Sequence, residues 1–226
     1  MRTAKLVLFI AAVVGLVQIV VASGSKVPSS SSSSDTARTP QEMARSSYNS
    51  GISHKDKAQK METDGVTQTF KDAKEKDKFD AKVKDEYNKA LKDFQNAAKQ
   101  DPTLFQALNG LGFAYRKLGD PAKALENYDK ALQMAPGFPD AVEYRGEAYL
   151  TMGRIDDAKS AYMSLFATDR KQADVLLRAM GAWQAKPTTN VDPAALTAFG
   201  SWIKERQKLA STTSDMALND NRSIWK

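Results

Sequence analysis

The chain has 226 residues, which is room for one domain with tails. It has no cysteine, which excludes a disulfide framework, a thiolate metal site and a cysteine nucleophile. Its single histidine, His54, lies in a polar stretch where it is expected to be solvated, without a local partner for a metal site or a triad. The formal charge of +6 is mild and dispersed, so no nucleic-acid partner is expected.

The N-terminus reads as an export signal. "MRTAK" is a positive start, residues 6–22 are apolar, and Val20-Val21-Ala22 offers small residues for cleavage. Residues 1–22 are therefore expected to be a signal peptide. The alternative is an uncleaved anchor, because the run reaches the short edge of a membrane span. Either way the rest of the chain is placed outside the cytoplasm, periplasmic or secreted. Residues 23–66 are expected to be a polar, serine-rich linker. Six consecutive serines, 29–34, bury no apolar surface and cannot offset the entropy of ordering. Thr39-Pro40-Gln41-Glu42 has the form of a capping box, so a short helix is expected there. The polar run that follows, with Gly51 and Gly65, is expected to end it quickly, and substitution of Lys55 to cost almost nothing.

Between Thr67 and Gln100 there is no glycine or proline. Phe79, Val83, Tyr87, Ala90, Leu91, Phe94 and Ala97 recur at steps of three and four, one apolar helical stripe. Residues 67–104 are expected to form a long charged helix ending in a degenerate first repeat.

From residue 105 a spacing of 34 residues sets in. Leu108, Gly112, Tyr115, Gly119, Ala124, Tyr128 and Ala131 are followed by Val142, Gly146, Tyr149, Gly153, Ala158, Tyr162 and Leu165. "FQNAAKQDP" and "YDKALQMAP" end successive units in the same way. A helix–turn–helix unit of this period resembles the tetratricopeptide repeat. The expected fold is all-α: an α-solenoid of helical hairpins, with repeats at 105–138 and 139–172. A degenerate repeat and capping helix follow at 173–210: the unit opens with residues 174–186, and after a polar loop at 187–192 its last helix is capped by Asp192, has Pro193 in its first turn and is carried by Ala195, Phe199 and Trp202. Residues 211–226 are expected to be a flexible tail.

The resemblance implies a non-enzymatic scaffold. Its concave groove, lined by the first helix of each hairpin, would hold a peptide or helix of another protein. It implies no cofactor, no metal and no small-molecule substrate; a membrane enters only through a retained 1–22. Positions matching the lining are Asn109, Phe113, Arg116 and Lys117 in one unit, Asp140, Glu143, Tyr144 and Glu147 in the next, and Arg178 in the last. Gln106 in the first of these units and Asp174, Leu177 and Gln184 in the last match the lining as well. Phe113 and Tyr144 are the expected apolar anchors. Arg116, Lys117 and Arg178 are the expected positive ends, with negative charge from Glu143 and Glu147 between them. Some members of the family grip a C-terminal carboxylate in this groove; here Glu143, Glu147 and Asp174 oppose it.

Overall fold

The computed structural model describes residues 38–223, with side chains described through 212. The expected signal at 1–22 and the serine tract lie outside the described residues. Eight helices follow in order: α1 (Pro40–Thr67), α2 (Ala73–Gln100), α3 (Phe105–Lys117), α4 (Pro121–Met134), α5 (Pro139–Thr151), α6 (Ile155–Thr168), α7 (Arg170–Ala185) and α8 (Pro193–Ser223). The described residues hold no strand.

The helices pair as four consecutive hairpins, and each hairpin stacks on the next. Since one hairpin cannot bury its own apolar face, stacking is what builds the core. Gly119 and Gly153 supply the turns between α3 and α4 and between α5 and α6. Their φ values of 89° and 71° lie in the left-handed region that other residues avoid. Asp120 then caps α4 through its side chain, with Pro121 in the first turn. Tyr128 and Tyr162, both fully buried, fill matching places in the second helices. Gly112 lets α3 close on its mate: a Cβ there would stand 2.5 Å from the Tyr128 ring. Gly146 does its work elsewhere. A Cβ on it would meet Leu176 of α7 at 2.7 Å before Ala161 of α6 at 3.3 Å, so this glycine sets the approach of the next hairpin.

The segment expected to be a linker is the largest correction. From Pro40 onward it is a 28-residue helix, as long as α2, and each spans about 42 Å. The capping box is present in full at Thr39 and Glu42. The helix does not fade, because Ala44, Tyr48, Gly51, Ile52, Lys55 and Ala58 form a buried stripe. Gly51 is a contact point and not a breaker; a Cβ there would lie 2.6 Å from the Phe94 ring of α2. Lys55 is only 8% exposed, its stem laid along apolar surface. His54 also has a partner after all. Its Nδ1 is 2.7 Å from Glu86 of α2, a buried carboxylate that also accepts from Lys57 at 2.9 Å and from Lys89 at 3.0 Å.

Two further boundaries move. The stretch expected as one helix from 67 begins its helix at Ala73, capped by Asp72. It does not fold back on itself; its mate is α1. At the other end, α8 continues to Ser223, so residues 211–223 are helix and not a loose tail. No glycine or proline after Gly200 interrupts it. Its buried face is Phe199 and Ile203, with Leu196 packed alongside; Ala195 is exposed. Trp202 is half-buried and meets Tyr162 edge-on at 5.3 Å.

Candidate functional site

The first helices of the four hairpins, α1, α3, α5 and α7, lie side by side. An open depression of about 310 Å³ runs across all four. It is lined by Lys55 and Gln59 of α1, Phe113, Arg116 and Lys117 of α3, Asp140, Glu143, Tyr144 and Glu147 of α5, and Gln172 and Val175 of α7.

Seven of the nine residues expected from the sequence are gathered here. Asn109 is buried on α3 and does not line the depression, and Arg178 is exposed on α7, away from it. The reason for Arg178 is a change of step. Four residues, 135–138, join α4 to α5, whereas Asp169 alone joins α6 to α7. Helix α7 therefore starts at Arg170, three residues before a 34-residue step from Pro139 would place it. Gln172 and Val175 take the positions that Asp174, Leu177 and Arg178 had been expected to fill. Lys55 and Gln59 were missed because α1 had been read as linker. The signal was present in the stripe from Ala44 to Ala58, diluted by polar neighbours.

Phe113 is 2% exposed, so it forms the floor and does not stand free as an anchor. Its ring packs against Tyr87 at 6.1 Å and edge-on against Tyr144 at 5.1 Å. Two cations cover it: Lys55 Nζ at 5.5 Å and the Arg116 guanidinium at 5.4 Å. The expected positive ends are likewise committed inside the protein. Arg116 pairs with Glu147 and also lies over Tyr144 at 5.8 Å. Lys117 donates to Glu62 of α1 at 2.6 Å, and Lys55 stands 3.5 Å from its neighbour Asp56.

The acids behave differently from one another. Asp140 accepts from the Gln172 amide at 2.5 Å, which ties α5 to α7. Glu147 is held by Arg116. Glu143, 2% exposed, has one carboxyl oxygen buried without a hydrogen-bond partner. Burial, and then the neighbouring Glu147, push its pKa from the ordinary 4.5 up to about 9. Glu143 is thus protonated at neutral pH and does not supply the negative charge expected of it. Among the described residues no group of three or more His, Cys, Asp or Glu side chains is arranged to hold a metal ion. The arrangement is suited to recognition: an aromatic floor, closed ion pairs at the sides, and buried polar atoms between them.

The tetratricopeptide repeat model of that family matches residues 105–138, the α3–α4 hairpin. Residues 105–138 are therefore a tetratricopeptide repeat. Among solved structures, the first such repeat domain of Spaghetti (RPAP3), bound to the HSP90 peptide SRMEEVD, is similar at 17% identity and a TM-score of 0.40. It covers 60% of this chain and 94% of that one. The crystal structure of MamA is similar at 16% identity and a TM-score of 0.40, covering 78% of this chain and 99% of that one. No curated protein matches the sequence. The match falls on one of the regularly spaced hairpins; the α1–α2 pair departs from that spacing by its length, and the α7–α8 pair by the shortened step into α7.

Proposed function

We propose that this protein is a non-enzymatic interaction module. It holds a peptide or helix of a partner protein in the depression across α1, α3, α5 and α7. The observation that supports this reading is the convergence of residues from all four first helices on one open depression with an aromatic floor. A surface assembled from every hairpin is shaped by the stack as a whole, which a single repeat does not provide. The test is a photo-crosslinking residue placed at Gln59 or Val175, inside the depression, and at Gln133, exposed on α4. Adducts with another protein are expected from the first two positions only. Equal labelling at all three, or none at the first two, overturns the reading.

We further propose that the repeats act outside the cytoplasm, periplasmic or secreted. The support is the basic start and apolar run of residues 1–22. N-terminal sequencing of native protein from a soluble fraction should begin near Ser23. Intact protein found only in membranes would show residues 1–22 retained as an anchor, with the repeats on a tether. A cytoplasmic pool with Met1 still in place would overturn export.

A further inference from the structure

The charges around the depression do not balance in the same way for the two signs. Each of its three cations has a carboxylate in reach: Arg116 has Glu147, Lys117 has Glu62, and Lys55 has Asp56. Glu143 has an orphan carboxyl oxygen in the wall of the depression. The register adds a second observation. One 34-residue step before Glu143 stands Asn109, also buried, and its side-chain carbonyl is again without a partner. The same position of two adjoining first helices thus carries a buried acceptor with no donor. An orphaned buried acceptor is unfavourable, by more than a typical hydrogen bond stabilises, unless a ligand completes it.

The donor that fits is set by the surroundings. An incoming carboxylate would meet Glu143, Glu147 and Asp140 on α5, with every nearby cation already engaged. An incoming cation meets Asp140, Glu143 and Glu147, while the three cations of the depression, Lys55, Arg116 and Lys117, are each already held by a carboxylate. A metal ion is not the fit, because these acids are not arranged to ligate one. Tyr144, edge-on to the Phe113 floor and only partly buried, offers apolar surface for the stem of such a side chain. We propose that the bound partner segment lodges a lysine or arginine side chain in this depression, its cationic head donating to Glu143. This rests on the reading of the depression as the partner site. Burial holds Glu143 protonated in the free protein, so docking of the cation releases a proton to solvent. The charged groups around Glu143 are Lys55 from α1, Arg116 and Lys117 from α3, and Asp140 and Glu147 on its own helix; α7 presents the neutral Gln172 and Val175.

The test uses the full chain and a phage-displayed library of random 12-residue peptides. Val175→Trp fills the depression, so peptides that bind the wild type and not this variant are groove binders. Circular dichroism first confirms that each variant folds. Groove binders are expected to share a lysine or arginine. Replacing it with norleucine should weaken binding to the wild type about tenfold, the scale of one charge-assisted hydrogen bond over a neutral one. The same replacement should change binding to Glu143→Gln less than about twofold, since the carboxylate it pairs with is gone. Calorimetry near pH 7.5 in phosphate and in Tris should give different heats, as one proton passes to the buffer. Groove binders with no basic residue, or with a norleucine analogue that binds equally to the wild type, overturn this inference and leave the peptide-binding function standing. A library with no binder blocked by Val175→Trp overturns both.

Discussion

Two buried glutamates in this chain sit at opposite ends of the titration scale. Glu86 accepts from His54 first of all, and from Lys57 and Lys89, and its pKa is pulled down from 4.5 to about 2. Glu143, desolvated beside Glu147, is pushed up to about 9. The linkage signs follow. A carboxyl with a depressed folded pKa contributes stability that is present above 4.5 and lost as pH falls through 2. A carboxyl with a raised folded pKa contributes stability that is present below 4.5 and lost as pH rises through 9, because the folded state holds the extra proton. Glu86→Gln should therefore lower the melting temperature at pH 7 by the equivalent of about 1 kcal/mol, most of its partners being exposed. That gap should close as pH falls towards 2. Glu143→Gln should do the reverse. Wild-type stability should decline between pH 5 and 9 by at most about 1.4 kcal/mol per pH unit, while the Gln variant stays flat by comparison. Melts of the three proteins across pH 2–9 check both. Parallel curves for the wild type and Glu143→Gln would show that Glu143 keeps its ordinary carboxyl titration in the folded protein.

At the scale of the element, α1 shows what the sequence conceals. Its partner helix α2 was legible because Val83, Tyr87, Ala90, Phe94 and Ala97 make a broad stripe of large side chains. Helix α1 buries as many positions, but two of them are alanine, one is lysine and one is Gly51. Composition alone reads these as linker residues. The role of Gly51 is fixed by the ring of Phe94, more than forty residues away, and no local rule contains that contact. The regular repeats were legible for the opposite reason: each small residue there recurs at a fixed interval, so its packing role announces itself twice. Two glycines make the distinction measurable. Gly51→Ala gains about 1 kcal/mol of helix propensity but drives a methyl into the fully buried Phe94 ring, where overpacking costs ~1–3 kcal/mol. Gly181→Ala, inside α7, meets nothing within 4 Å and keeps the propensity gain alone. The first should lower the melting temperature and the second raise it. A rise in both would mean that α1 does not press on Phe94.

At the scale of the molecule, the described helices form a one-dimensional stack, and stability depends on what each hairpin gives its neighbour. The α1–α2 hairpin gives a great deal. Phe94 is the meeting point of three helices, since a Cβ on Gly51 of α1 and a Cβ on Gly110 of α3 would both strike its ring, at 2.6 and 2.7 Å. Tyr48 and Ile52 of α1 share one core with Leu111 and Ala114 of α3, and Lys117 of α3 reaches back to Glu62. Removing residues 40–67 would therefore strip the cover from α2 and open the depression along its α1 side, where Lys55 and Gln59 stand. Limited proteolysis should leave a protected fragment that begins near residue 40, not near 79 as a reading of 23–66 as linker requires. A chain lacking 40–67 should lose more than the share of one helix. Its melting temperature should fall steeply, and exchange of α3 amides should quicken, while α7, two hairpins further along, should be protected nearly as before. Cleavage within 44–60 at the rate of an unstructured peptide, with α3 exchange unchanged in the shortened chain, would show that α1 is not part of the fold.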